Sequence, residues 1–161
     1  MSDLKIIISE QITLPNKNIE TAVNTVTIPG INQIVKRIDT ISTAFSGSGI
    51  EILKFTDSEE QQTAGSFVKD QVKYIRITNI SSTGSAEIYL IADGAESSIF
   101  LLDSGKTMML GNAEFNASSV NNYVIENYVD ETYYSDFIYY DTIKAKALGI
   151  NVQLEYLVAS L

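Results

Sequence analysis

The sequence has no cysteine, no histidine and no tryptophan, and only two prolines. Without cysteine there is no disulfide framework, thiol nucleophile, redox pair or zinc ribbon. Without histidine the commonest general base is missing, along with the serine–histidine–aspartate arrangement and most transition-metal sites. No apolar run approaches the roughly 20 residues of a membrane-spanning helix. Cations are scarce: 11 Lys and Arg stand against 20 Asp and Glu, for a formal charge of −9. Phosphate backbones are held by clustered Lys and Arg, whereas here the basic residues are scattered apart from Lys36-Arg37. Neither nucleic acid nor a membrane is an expected partner, and no cofactor or metal is expected. The Met-Ser-Asp start has no basic or apolar leader, so synthesis in a cytoplasm is the expectation.

The chain does have the makings of a core. Of its 161 residues 45% are hydrophobic and 19% charged, the balance of one globular domain over 1–161. A domain of this length buries roughly 68–70% of its unfolded surface, which needs no staples.

Its local patterns are those of strands. Leu4 to Leu14 is rich in Ile and Thr and closes at Pro15-Asn16. Val23 to Ile28 is largely β-branched, and Pro29-Gly30 reads as a turn. Ile31, Ile34, Val35, Ile38, Ile41 and Phe45 follow a helical spacing, yet Ile and Val are so dense there that a long strand with a bulge that re-phases its faces is expected over a helix. Ser46-Gly47-Ser48-Gly49 reads as a hairpin loop into Ile50–Phe55. Thr56 to Gly65 reads as a polar loop. From Val72 to Ile80, Ile75 and Ile77 share a face with Lys73 in phase, while Tyr74, Arg76 and Thr78 take the other. After Ser81–Ser85 the chain returns through Ala86 to Ala92, where Ile88 and Leu90 alternate with Glu87, Tyr89 and Ile91, as in a meander hairpin. Asp93-Gly94 and Ser104-Gly105 are further turns around a short strand, Ile99–Leu102, and Lys106–Leu110 continues. Thr142–Leu148 and Ile150–Leu157 close the chain around Gly149. Short strands at regular spacing predict an all-β, antiparallel sandwich or jelly-roll-like domain. Its expected core is Ile75, Ile77, Ile88, Leu90, Leu101, Val152 and Leu154.

One excursion, at about 118–141, departs from this pattern. Between Lys106 and Lys144 there is no basic residue, but six acids: Glu114, Glu126, Asp130, Glu131, Asp136 and Asp141. Tyr123, Tyr128, Tyr133, Tyr134, Tyr139 and Tyr140 are interleaved with them, six of the nine tyrosines. Rings lying on the sandwich edge are one reading. A contact surface is the other, because tyrosine gives amphipathic, low-entropy contact area. Buried acids would need cations that this segment lacks. The expected interface is therefore Tyr123, Tyr128, Tyr133, Tyr134, Tyr139 and Tyr140, with Asp130, Glu131 and Asp136 as the complementary charge.

Nothing else in the chain carries catalytic chemistry. Carboxylate pairs could serve a glycosidase, but none sits in a recognisable context. Asp57-Ser58-Glu59-Glu60 and Asp93-Gly94-Ala95-Glu96 lack the spacing of a calcium loop. Gly47-Ser48-Gly49 is too short for a dinucleotide loop. Asn79-Ile80-Ser81 and Asn116-Ala117-Ser118 match the glycosylation sequon by chance in a chain with no leader. Arg76, on a strand's polar face, is either an ordinary surface residue or a partner for a neighbour's carboxylate. The chain is not expected to be an enzyme.

The run Val72-Lys73-Tyr74-Ile75-Arg76-Ile77-Thr78-Asn79-Ile80 follows Gly65-Ser66-Phe67-Val68 and precedes Ala86-Glu87-Ile88-Tyr89-Leu90 and Phe100-Leu101-Leu102-Asp103-Ser104-Gly105-Lys106. In this arrangement it resembles small virion proteins of tailed bacteriophages. Their pattern is a (V/I)-K-Y-(I/L)-R-(I/L)-T-N strand, a polar turn, a second strand and L-x-x-G-(K/Q). The resemblance covers about 31–110 and 142–159, and Ser118–Asp141 departs from it. It implies a β-sandwich subunit of a virus particle, decorating or stabilising the capsid, or else a neck or tail component. The implied partners are the major capsid protein or neck and tail proteins, and copies of the chain itself, with a trimer favoured; the implied location is the virion. A carbohydrate-binding module, stacking tyrosines on sugar rings, is the rival reading.

Overall fold

Isoleucine, valine and threonine crowd into segments separated by glycine and small polar residues, and each such segment is extended. The computed structural model describes residues 2–12, 20–45, 47, 49–92, 95–111 and 140–161. Among them the strands are β1 (Ser2–Ile12), β2 (Glu20–Ile31), β3 (Gln33–Ile41), β4 (Ile50–Thr56), β5 (Ser66–Val68), β6 (Val72–Asn79), β7 (Ser85–Ala92), β8 (Ala95–Leu102), β9 (Thr107–Gly111), β10 (Thr142–Leu148) and β11 (Val152–Ser160). Two single 3-10 turns, Glu59–Gln61 and Lys69–Gln71, are the helical pieces among the described residues. The all-β sandwich expected from the spacing is what forms.

A five-stranded sheet, β5-β4-β10-β7-β8, faces a four-stranded sheet, β3-β11-β6-β9. Pairing is antiparallel except between β4 and the three-residue β5. The core lies between the sheets. Ile88, Leu90, Ile143 and Ala145 come from one side, and Ile75, Ile77, Val152, Leu154 and Tyr156 from the other. Residues facing each other across β10 and β7, such as Ile143 and Leu90, point the same way, so one run of alternation fills one layer.

β1 and β2 form a separate two-stranded ribbon. Its Leu4, Ile6, Val26 and Ile28 pack, with Ile31, over Tyr74, Leu157 and Ala159 on the outer face of the four-stranded sheet. Pro29-Gly30 is no turn but a bulge within β2: Ser2 pairs with Ile31 and Leu4 with Ile28. The missing proline N–H is harmless there, and Gly30 supplies the positive φ of 79°.

Several local expectations fail at one level, the choice of sheet. The presumed hairpin over 46–49 is a crossover from β3 in one sheet to β4 in the other. Gly49 is fixed there by φ +82° and by crowding, since a Cβ would come within 2.0 Å of the Ala145 carbonyl oxygen. The presumed meander of β6 and β7 is likewise an arch between sheets. Within 31–45 the strand preferred over a helix does form, as Gln33–Ile41, but it is separated from β2 at Asn32 rather than re-phased by a bulge, and Ile34, Ile38 and Phe45 are exposed. Lys73 sits at a bulge, so Val72 takes the inward position instead. Leu101 is not core: it is 62% exposed, and Leu102 is buried in its place. The Asp93-Gly94 turn lies outside the described residues.

Candidate interaction surfaces

The expected interface falls largely outside the described residues: Tyr123, Tyr128, Asp130, Glu131, Tyr133, Tyr134, Asp136 and Tyr139 all do. Tyr140 is described, half-buried and packed against the main core. Next to it the chain is firmly anchored. The Asp141 N–H donates to the Ile91 carbonyl and its own carbonyl accepts from Phe55 N–H, both at 2.8 Å. Its carboxylate accepts from Lys69 Nζ at 2.9 Å, and Asp57 lies 2.6 Å from the same ammonium. Burial pulls the Lys69 pKa down, but the hydrogen bonds and charges of Asp57 and Asp141 outweigh it and hold it above the ordinary lysine value. Asp57 is thus used inside the chain, as is Glu59, whose Oε1 accepts from Gln71 Nε2 at 2.7 Å. No group of metal-ligating side chains occurs among the described residues.

β3 turns an unusual face inward. Its register on β11 sets Asp39 beside Leu154 and Arg37 beside Tyr156, on the core side. The result is an open polar groove of about 350 Å³, lined by Arg37, Asp39, Glu51, Lys54, Ser66 and Tyr156. The buried Tyr156 hydroxyl donates to Asp39 Oδ2. Burial first, then the Asp39 hydrogen bond and charge, push the Tyr156 phenol up to about 12. A phenol so held stays protonated at neutral pH and supplies neither base nor nucleophile. Because the folded pKa exceeds the unfolded one, the associated stability is complete below about pH 10 and lost as pH rises towards 12. A spectrophotometric base titration should show a late phenol that Tyr156→Phe removes. The same variant should lose about 1.5–3 kcal/mol, the worth of a hydrogen bond to a charged group.

On the outer face of the same sheet, Arg76 finds its carboxylate within the chain. Its Nη2 donates to Glu155 Oε1 at 2.8 Å, and Lys36 Nζ lies 2.8 Å from the other oxygen. The Lys36 hydrogen bond, followed by its charge and that of Arg76, holds Glu155 below the ordinary carboxylate range.

Among the apolar positions left open in the described residues, two groups stand on exposed strands of the ribbon and of β8. On the ribbon, Ile7 and Val23 are diagonal neighbours across β1 and β2 and are 59% and 62% exposed. They project from the face opposite Ile6 and Val26, where Lys5, Ser9, Thr25 and Thr27 surround them, so this outer face carries one apolar pair on polar ground. On β8, Ile99, Phe100 and Leu101 are 54%, 42% and 62% exposed. β8 ends its sheet, and no described strand pairs with its outer edge.

Sequence reasoning passed over Asn79, which the structure places at the heart of the sandwich. It is fully buried. Its Nδ2 donates to the Gly84 and Leu102 carbonyls, each at 3.0 Å, and its Oδ1 accepts from Ser81 N–H at 3.1 Å. The signal that could have found it is an asparagine at an inward position of the alternation, directly before a turn. No family model, curated protein or solved structure matches this chain.

Proposed function

We propose that this chain is a non-catalytic structural protein of a tailed-phage particle, made in a host cytoplasm and seated in the virion against other subunits. Capsid decoration is the first reading, with the major capsid protein as partner; neck or tail placement is the second. The observation that carries it is the exposed Ile7–Val23 pair on the outer face of the ribbon. An isolated two-stranded ribbon is marginal in water, and this one uses one face to hold the body while leaving Ile7 and Val23 open on the other. Apolar side chains paired on an unsupported outer face suit a covering neighbour. The Val72–Asn79 pattern supports the same reading by resemblance. For the rival carbohydrate module, Tyr74, Tyr89 and Tyr156 are buried and Tyr140 is half-buried among the described residues, so the stacking tyrosines it needs would lie outside them.

The test mixes the full chain with particles of the phage that encodes it, prepared without the protein, and measures co-sedimentation. Ile7→Lys with Val23→Lys should abolish binding while shifting stability by no more than about 0.5 kcal/mol, as befits exposed positions. Undiminished binding would remove the ribbon from the interface, and failure of the unaltered chain to bind would remove the virion reading itself.

A further inference from the structure

We infer that β8 pairs edge to edge with β8 of a second copy across a two-fold axis, joining the two five-stranded sheets into one. The inference rests on how the chain treats its sheet edges and does not depend on the virion reading. Exposed edges invite pairing, and proteins blunt them by shortness, by charge or by inward-pointing charged residues. β3 is blunted by charge: Lys36, Arg37 and Asp39 lie along it, and Arg37 and Asp39 point inward. β5 and β9 are blunted by length, at three and five residues. β8 is longer than either, at eight residues, with a bulge at Ser97 where Leu90 pairs with Ser98 and Ile91 with Glu96; beyond that bulge, from Ser98 to Leu102, it is regular and carries no charge.

A second copy fits this edge for two reasons. A chain with a formal charge of −9 repels its copies wherever acids meet, and β8 is an eight-residue edge on which its central stretch offers none. The sequence is also self-complementary about Phe100. A two-fold there sets Ile99 against Leu101 of the other copy, Ser98 against Leu102 and Phe100 against its own counterpart. The regular stretch that pairs, Ser98 to Leu102, carries no charged residue, so no like charges face each other along it. The pairing is isologous and closes on itself. Two such edges can join only two copies, which sets the inference against the trimer expected from sequence. A single strand edge is small beside the roughly 1,200–2,000 Å² of stable interfaces, so the free dimer is weak and forms at high concentration.

Sedimentation velocity of the full chain over a concentration series tests this. The expected result is a monomer that becomes a dimer as concentration rises. Ile99→Glu alone and Leu101→Lys alone should each weaken the dimer about tenfold or more, because each sets a charge against an apolar neighbour. Both positions are more than half exposed, so the variants keep the fold, which thermal unfolding checks. Combining the two should restore dimerisation, since the two-fold register places the new acid of each copy against the new lysine of the other. A chain that stays monomeric throughout, forms a trimer, or dimerises equally in the single variants overturns the inference. A double variant that stays as weak as the singles overturns the register about Phe100.

Discussion

Asn79→Ala should lower the unfolding free energy by about 3–5 kcal/mol, measured by urea denaturation, because it strands several polar groups at once. Asn79 lies on the core side of β6, opposite Leu154 of β11. Yet its amide reaches across to the Leu102 carbonyl at the end of β8 and to the Gly84 carbonyl before β7. Its main chain is held as well, the N–H donating to the Lys106 carbonyl and the carbonyl accepting from Gly105 N–H, at 3.0 and 2.9 Å. One residue therefore ties two chain reversals between the sheets. Alanine keeps the main-chain bonds but leaves two carbonyls and the Ser81 N–H without the amide. Asn79→Asp should be at least as damaging at neutral pH, since it replaces the donor by a charge facing two carbonyl oxygens. Its damage should ease in acid, where a protonated carboxyl can again donate one bond. An Asn79→Ala variant as stable as the parent would show that these bonds contribute nothing net.

Replacing both Asp57 and Asp141 by Asn should cost about 3 kcal/mol, the low end for an uncompensated buried charge, because amide oxygens still accept hydrogen bonds from the ammonium. Lys69→Met should cost only about 1 kcal/mol or less, since Asp57 and Asp141 are already 72% and 40% exposed and keep their water. The asymmetry between the two is the measurement, and equal losses would contradict it. The Lys69 pKa is raised, so its contribution is complete below the ordinary lysine value and fades only as pH rises through the higher folded one. The clamp is thus intact at neutral pH.

Much of the sandwich was legible because alternation survives one-sided burial. Ile75 and Ile77, Ile88 and Leu90, and Val152, Leu154 and Tyr156 all face inward as their spacing dictates. Where alternation is missing, the reading fails. Ile99-Phe100-Leu101-Leu102 is unbroken apolar sequence, so period two could not choose between Leu101 and Leu102. On β3 the core side is mixed, with Val35 and Ile41 packed in or against the core and the polar Arg37 and Asp39 between them, while Ile34 and Ile38 face outward, so the apolar spacing does not report which side is buried. Sheet membership was invisible for another reason. A glycine-containing polar turn between two strands looks the same whether the second strand pairs with the first or crosses to the opposite layer. The distinction lies in long-range partners such as Ala145 against Gly49. The candidate surfaces were least legible: exposure of Ile7, Val23 and the β8 edge depends on what packs around them, which local pattern does not record.

The strand order carries a consequence for how the protein is born. β10 stands in the middle of the five-stranded sheet between β4 and β7, and β11 joins β3 to β6 in the four-stranded one. Both linking strands belong to the final stretch of the sequence, after Asp141. A nascent chain on the ribosome thus holds β3, β4, β6 and β7 with their mutual bridges still unmade, and neither layer can close before these last strands emerge. Folding of the two layers waits for β10 and β11 to emerge and then proceeds through contacts of high sequence separation, which are slow to find. During that interval the β8 edge, uncharged from Ser98 to Leu102, is exposed to every other unfinished copy nearby, and rapid production favours aggregation over the native sandwich.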